Sequence, residues 1–106
     1  MEANKDVNLL RKYINEKKYS IIDEYVLEED GFYYEIIVFR PAFTREYSEK
    51  EILYGPVLLE RRDEDLKDYL TYLLHKYEEL YQKSSRRDYL DKTRELRDLM
   101  LELYGG

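Results

Sequence analysis

At 106 residues with 24 acids against 18 bases, the chain is one domain's worth of sequence, acidic at a net charge of -6 and large enough for a single hydrophobic core. Cysteine is absent, which excludes disulfides, thiolate metal sites and cysteine nucleophiles together. No apolar run approaches the length of a membrane span, and the first residues, MEANKDVNLLRKY, lack the basic and apolar regions of a signal peptide, so a cytoplasmic protein is expected. Charged residues make up 40% of the chain and amides are few, a balance that proteins from hot environments tend to show.

Asn4 to Lys18 reads as a short amphipathic helix. Val7, Leu10 and Ile14 follow one another at helical spacing, Asn4 or Asp6 is placed to cap the start, and Lys17 and Lys18 suit the C-terminal end.

From Tyr19 the period becomes two. The runs YSIIDEYVLEE and FYYEIIVF flank Asp30-Gly31, a dipeptide that accepts the positive φ values of a type I′ turn. A tight turn there pairs Glu29 with Phe32, Leu27 with Tyr34, Tyr25 with Ile36 and Asp23 with Val38. One face then holds Ile21, Asp23, Tyr25, Leu27, Phe32, Tyr34, Ile36 and Val38, apolar but for Asp23, and is the expected core face. Ile22, Glu24, Val26, Glu28, Tyr33, Glu35, Ile37 and Phe39 fall on the other, expected to meet solvent. Pro41 ends the second strand.

Between Ala42 and Gly55 the pattern is least regular. Ser48 and Glu51 have the spacing of a capping box, and Gly55-Pro56 would stop a short helix. The reading favoured is a loop, with a helical turn at most, followed by a third strand that includes Val57, Leu58 and Leu59.

Asp63 then opens a long helix with an apolar stripe from Leu66 through Leu70, Leu73 and Tyr77 to Tyr81. After Gln82-Lys83-Ser84 a second helix is expected, capped by Ser84 or Ser85 and carrying Tyr89, Thr93, Leu96, Met100 and Leu103, up to Gly105-Gly106. So short a connection makes them antiparallel neighbours. The expected fold is α+β: a small antiparallel three-stranded sheet packed on helices in two layers, in the order α-β-β-β-α-α. As domains, 1–106 is one unit, with a helix over 1–18, the sheet over 19–60 and the helix pair over 61–106.

Chemistry is sparsely signalled. His75 is the only histidine and lies opposite the Leu66–Tyr77 stripe, as a solvated helix residue would. Asp63, Glu64, Asp65 and Asp68 gather at a helix start, where carboxylates answer the dipole and nearby bases, rather than converging from separate elements on a metal ion. Lys83, Arg86, Arg87, Lys92, Arg94 and Arg97 alternate with acids at ion-pair spacing and do not segregate into a phosphate-binding side. The helix-sheet-helix order resembles double-stranded-RNA-binding domains in topology alone, because their basic cluster is missing. No catalytic residue, metal site or cofactor is expected.

The hairpin carries the sharpest signal. DEYVLEEDGFYYE holds six carboxylates and no base. Carboxylates around an aromatic and apolar centre suit a binding surface for a basic protein, and Glu24, Glu28, Glu29, Asp30, Tyr33, Glu35, Ile37 and Phe39 are its candidate partner-binding residues. The layout, with LLRKYINEKKYSI leading from a helix into a small acidic sheet and two closing helices, resembles anti-CRISPR inhibitors of phages and mobile elements. That resemblance implies a non-enzymatic viral or mobile-element inhibitor acting in a host cytoplasm, with nucleic acid not the partner. A homodimeric structural protein and a small metal-dependent nuclease or nucleic-acid module are the alternatives.

Overall fold

The computed structural model describes residues 3–105, with side chains described from residue 7 onward. Two compact units divide the chain, one ending at Arg61 and the other beginning at Arg62.

In the first unit, α1 (Ala3–Glu16) leads into a hairpin of β1 (Ser20–Glu29) and β2 (Phe32–Arg40), followed by the short helices α2 (Glu49–Tyr54) and α3 (Pro56–Arg61). The cap expected at Asn4 or Asp6 concerns side chains outside the described residues. Lys18, at φ 59, closes α1 in the left-handed region, and its N–H donates to the Asn15 carbonyl at 3.0 Å.

Asp30 and Gly31 turn the hairpin at φ 53 and φ 83, both positive as a type I′ turn requires. Glu29 pairs with Phe32, Leu27 with Tyr34, Tyr25 with Ile36 and Asp23 with Val38, the register expected from that turn. Between Ile21 and Asp23 the register shifts, so Ile21 pairs with Phe39 and crosses to the face that carries Glu24 and Val26.

The faces are the reverse of the expectation. Ile21, Glu24 and Val26 are buried, whereas Tyr25, Leu27, Phe32, Tyr34, Ile36 and Val38 are 38–61% exposed. Helix α1 covers the Glu24 face together with α3, and the core forms there. Ile14, Ile21 and Tyr47 make its centre, with Tyr19, Ile37, Ile52 and Val57 packed against them. Tyr47 is fixed at both ends: its hydroxyl accepts from the Ile21 N–H at 2.8 Å, and its own N–H donates to Asn15 Oδ1 at 2.7 Å.

The third strand is absent, and the described residues hold a two-stranded sheet with five helices. Ser48 and Glu51 do form a capping box, with the Ser48 N–H donating to Glu51 Oε1 at 2.9 Å and the Glu51 N–H to Ser48 Oγ at 3.2 Å. Pro56 then occupies the first position of α3, where its fixed φ and missing N–H suit a helix. Val57, Leu58 and Leu59 have strand propensity, but Glu24 Oε1 accepts from the N–H groups of Val57 at 2.8 Å and Leu58 at 3.2 Å, which is the work of an N-cap done by a residue more than thirty positions away.

The second unit is the helix pair α4 (Glu64–Ser84) and α5 (Arg87–Tyr104). Asp63 caps α4 by accepting from the Leu66 N–H at 2.9 Å, and Ser85 ends it in the left-handed region. Leu66, Tyr69, Leu70 and Leu73 are buried on α4, and Thr93, Leu96 and Leu99 on α5. The Tyr77 and Tyr89 rings meet at 6.0 Å, Arg97 Nη2 reaches Glu78 at 2.5 Å, and the Tyr104 hydroxyl donates to the Asp63 carbonyl at 2.8 Å, tying the last turn of α5 to the first of α4. Neither serine caps α5: Arg86 takes the cap position without a side-chain bond. No helix among the described residues is long and apolar enough to cross a membrane.

Candidate functional site

Two features of the first unit lie on opposite sides of the hairpin, and each involves residues singled out in the sequence.

On the covered side, Arg11 projects from α1 into the space between the hairpin and α3. Its Nε donates to Glu24 Oε2 at 2.8 Å and its Nη2 to Glu35 Oε1 at 2.5 Å, with side-chain exposures of 0% for Arg11 and Glu24 and 5% for Glu35. A longer bond of 3.5 Å runs from Nη1 to the Ile52 carbonyl. Glu24 thus spends one oxygen on the guanidinium and the other on α3. Such a carboxylate, holding three hydrogen bonds and fully buried, organises structure.

Gly55 closes this cluster. Its φ of 97 suits glycine, and a Cβ there would lie 2.6 Å from Glu24 Oε1 and 2.7 Å from Arg11 Nη2. The tight turn between α2 and α3 therefore exists to let backbone approach a buried ion pair.

The predicted binding residues are consequently divided. Glu24 and Glu35 are buried against Arg11, and Tyr33 and Ile37 are partly covered, with Ile37 on the core cluster. Phe39 stacks on Tyr19 at 6.2 Å. Glu28 accepts from the Gly31 N–H at 3.0 Å, holding the turn, and it is exposed along with Glu29 and Asp30. Only the turn end of the hairpin offers carboxylates to solvent.

On the other side lies the face formed by Tyr25, Leu27, Phe32, Tyr34, Ile36 and Val38, open along its whole length. Asp23, the one misfit on this face in the sequence, is satisfied locally. The Tyr25 hydroxyl donates to it, Arg61 Nη2 lies 2.6 Å from its Oδ1, and the two hold its carboxyl below the usual range. The same hydrogen bond to Asp23 pushes the Tyr25 phenol up. The Arg61 guanidinium also lies 5.7 Å from the Tyr25 ring centre.

A groove of about 480 Å³ between α1 and α2 is lined by Asn8, Leu9, Lys12, Glu49, Ile52 and Leu53, and the buried Asn8 Oδ1 has no hydrogen-bond partner. Among the described residues no group of three or more His, Asp or Glu side chains is placed to hold a metal ion. On the second unit His75 is exposed, and three of the basic residues are engaged with acids on the same helix or at its cap: Arg86 with Asp88 at 2.9 Å, Arg87 with Asp91 at 3.5 Å and Lys92 with Glu95 at 3.4 Å.

The arrangement of a β-hairpin with helices on one face and a second apolar face left open recurs within larger solved structures. A Streptococcus agalactiae protein of the NADB-Rossmann superfamily matches at 23% identity over 92% of this chain and 41% of its own, with a TM-score of 0.65. The Streptococcus pneumoniae protein Sp1610, solved in complex with S-adenosyl-L-methionine, matches at 24% identity over 92% of this chain and 44% of its own, with a TM-score of 0.77. The B. subtilis M1A22 tRNA methyltransferase TrmK matches at 24% identity over 91% and 46%, with a TM-score of 0.61. The class is thus a fold shared with part of each of these proteins, and the chain spans less than half the length of these structures.

The family follows from the sequence itself. Residues 1–105 match the profile of TrmK, tRNA (adenine(22)-N(1))-methyltransferase, and the chain belongs to that family. No curated protein matches the chain.

Family membership overturns several expectations. The resemblance to anti-CRISPR inhibitors was one of layout and charge and does not hold, and with it go the viral inhibitor and the non-enzymatic reading, since the family is one of enzymes. Nucleic acid, which the negative charge argued against, is the family's substrate class. The net charge of 106 residues is a poor guide when the solved relatives are about twice as long.

The residues described here do not fit a cofactor site. Glycines stand at 31, 55, 105 and 106, and none forms the G-x-G of a dinucleotide-type loop. Gly31 turns the hairpin and Gly55 is pressed against the ion cluster. The first turns of α2, α3 and α4 already bond Ser48, Glu24 and Asp63 in place of an anionic ligand.

Proposed function

We propose that this chain is the part of a tRNA (adenine-22 N1) methyltransferase that does not hold S-adenosylmethionine, and that it works in the cytoplasm as the structural complement of the cofactor-binding part. The observation that carries this reading is the family match from residue 1 to residue 105, which leaves almost nothing of the chain outside it. Two further facts support it: the chain spans 44% of the S-adenosylmethionine-bound relative, and its own glycines supply no cofactor loop.

The test is genetic and chemical. Deleting the gene in its source organism and mapping tRNA by primer extension is expected to remove the stop caused by N1-methyladenosine at position 22, and reintroducing the gene restores it. A methylated position 22 in the deletion strain would refute the assignment.

A further inference from the structure

We infer that the end of the first unit where α1 closes and β2 finishes is a contact surface for unpaired nucleotides of RNA, with the rings of Tyr13, Tyr19 and Phe39 receiving bases and Lys17, Lys18 and Arg40 receiving phosphates. The inference rests on the proposed function and adds to it the residues of this chain that hold the RNA.

Three elements bring one ring each to this end. Tyr13 lies in the last turn of α1, where its carbonyl accepts from the Lys17 N–H at 3.0 Å. Tyr19 leads into β1, and Phe39 stands next to the last residue of β2. Tyr13 and Tyr19 meet edge to face at 6.4 Å, and Tyr19 and Phe39 lie stacked at 6.2 Å with 13° between their planes. Tyr19 packs against the core and so fixes the row, while Tyr13 stays 46% and Phe39 38% exposed. A fixed row of rings with open outer members is a platform on which bases stack, because every base offers a π-face.

The charges beside the rings have one sign. Lys17 Nζ lies 5.8 Å from the centre of the Tyr13 ring, and Lys18 is exposed at the turn that follows. Arg40, also exposed, pairs with Ser20 in the ladder, which sets it beside the start of β1. Residues 36–45 contain no acid, and between 12 and 22 the only one is Glu16. The exposed acids of the hairpin, Glu28, Glu29 and Asp30, sit at its turn, at the far end of a ten-residue strand and so roughly 30 Å away. The hairpin unit is therefore polarised despite the net charge of -6, and its basic end is the one that carries the rings. Rings and cations side by side match the alternation of base and phosphate along an unpaired strand, whereas a duplex keeps its bases stacked out of reach.

Fluorescence anisotropy tests this with the full 106-residue chain and three probes: a short labelled single-stranded RNA, the same strand annealed to its complement, and an unmodified tRNA transcript. The single strand and the tRNA are expected to bind, and the duplex more weakly. Tyr13→Ala weakens binding by roughly fivefold or more, whereas Tyr13→Phe, which keeps the ring, binds like the parent. Lys17→Ala and Lys18→Ala each lower the slope of log affinity against log salt by about 0.7. Circular dichroism confirms that the variants fold, and His75→Ala serves as the control. No RNA binding at low salt, a duplex bound as tightly as the strand, or undiminished binding by Tyr13→Ala and both lysine variants overturns the inference. So does self-association of the chain that Tyr13→Ala abolishes, because the rings would then seat protein. The two readings fail separately: RNA binding that Tyr13→Ala reduces, with position-22 methylation independent of the gene, sinks the function alone, and dependence without such binding sinks this inference alone.

Discussion

Arg11 on α1 and Glu24 on β1 form a fully buried ion pair at 2.8 Å, and Glu24 simultaneously holds the first turn of α3. One carboxylate thereby fastens three elements that are distant in sequence. Removing a single partner from such a pair leaves the other charge dry and uncompensated, at a cost of about 3–5 kcal/mol. Arg11→Met, which also leaves Glu24 and Glu35 facing each other, is expected to lose that much in urea unfolding followed by circular dichroism. Glu24→Gln keeps an oxygen for the Val57 and Leu58 N–H groups and is expected to lose less. A loss under about 1 kcal/mol for Arg11→Met, within the range of ordinary surface changes, would show that the cluster is not what holds this unit together.

The two internal glycines separate conformational strain from collision. Gly31 has φ 83 with nothing within 4 Å of a would-be Cβ, whereas Gly55 has φ 97 with the Glu24 and Arg11 side chains inside 3 Å. Gly31→Ala is expected to cost only the left-handed backbone term, about 1 kcal/mol. Gly55→Ala adds the displacement of a buried ion pair and should cost about 3 kcal/mol or more. Comparable midpoints for the two variants in one denaturation series would contradict the close approach at Gly55.

How much of this was readable beforehand can be followed through the hairpin. Its turn and register were legible because Asp30-Gly31 is local chemistry and side-chain alternation propagates it along both strands. Which face was inward was not. Counting apolar residues favours the Tyr25 face, but the inward face is settled by Arg11 neutralising Glu24 and Glu35 and by α3 lending its N–H groups, contacts made across long stretches of chain. The bulge at Ile22, 48% exposed, also moves Ile21 across the sheet in a way that no period-two count reveals. The same long-range contact explains the missing third strand, since the Val57 and Leu58 N–H groups are held by Glu24 at a helix start. A signal did exist in Ser48-x-x-Glu51 and Pro56, both helix-start residues, and strand propensity outweighed it. The helix pair was legible from its long stripe, but its second start was not, since Arg86 rather than Ser84 or Ser85 takes the cap position. Function was not, because these residues carry no cofactor loop.

At acid pH the Arg45–Glu51 pair should be visible. Arg45 reaches Glu51 with two nitrogens, at 2.8 and 2.6 Å, and this hydrogen bonding, aided by Ser48, holds the Glu51 carboxyl down at about 2, against 4.5 for a free one. A carboxylate depressed in the folded state contributes stability that is complete above its unfolded value and lost as pH falls through its folded one. The difference in unfolding free energy between the parent and Arg45→Gln is therefore expected to be constant above about pH 4.5 and to shrink steadily toward pH 2. A difference that is flat across that window would mean that the pair makes no contribution in solution.

The alkaline limb belongs to Tyr104. Burial, followed by the nearby Asp63 and Glu64 carboxylates, pushes its phenol up to about 12, against 10.0 for a free tyrosine. Only the protonated phenol can donate to the Asp63 carbonyl, the bond that joins the last turn of α5 to the first of α4. Since the unfolded chain ionises first, the contribution is whole below pH 10 and declines as pH rises toward 12. Tyr104→Phe should cost about 1 kcal/mol at neutral pH, the worth of one hydrogen bond, and should flatten the decline of helix-pair stability between pH 10 and 12. Thermal melts monitored at 222 nm, a helix wavelength, across that range check both halves of the prediction. An alkaline decline as steep in Tyr104→Phe as in the parent would assign it to another group.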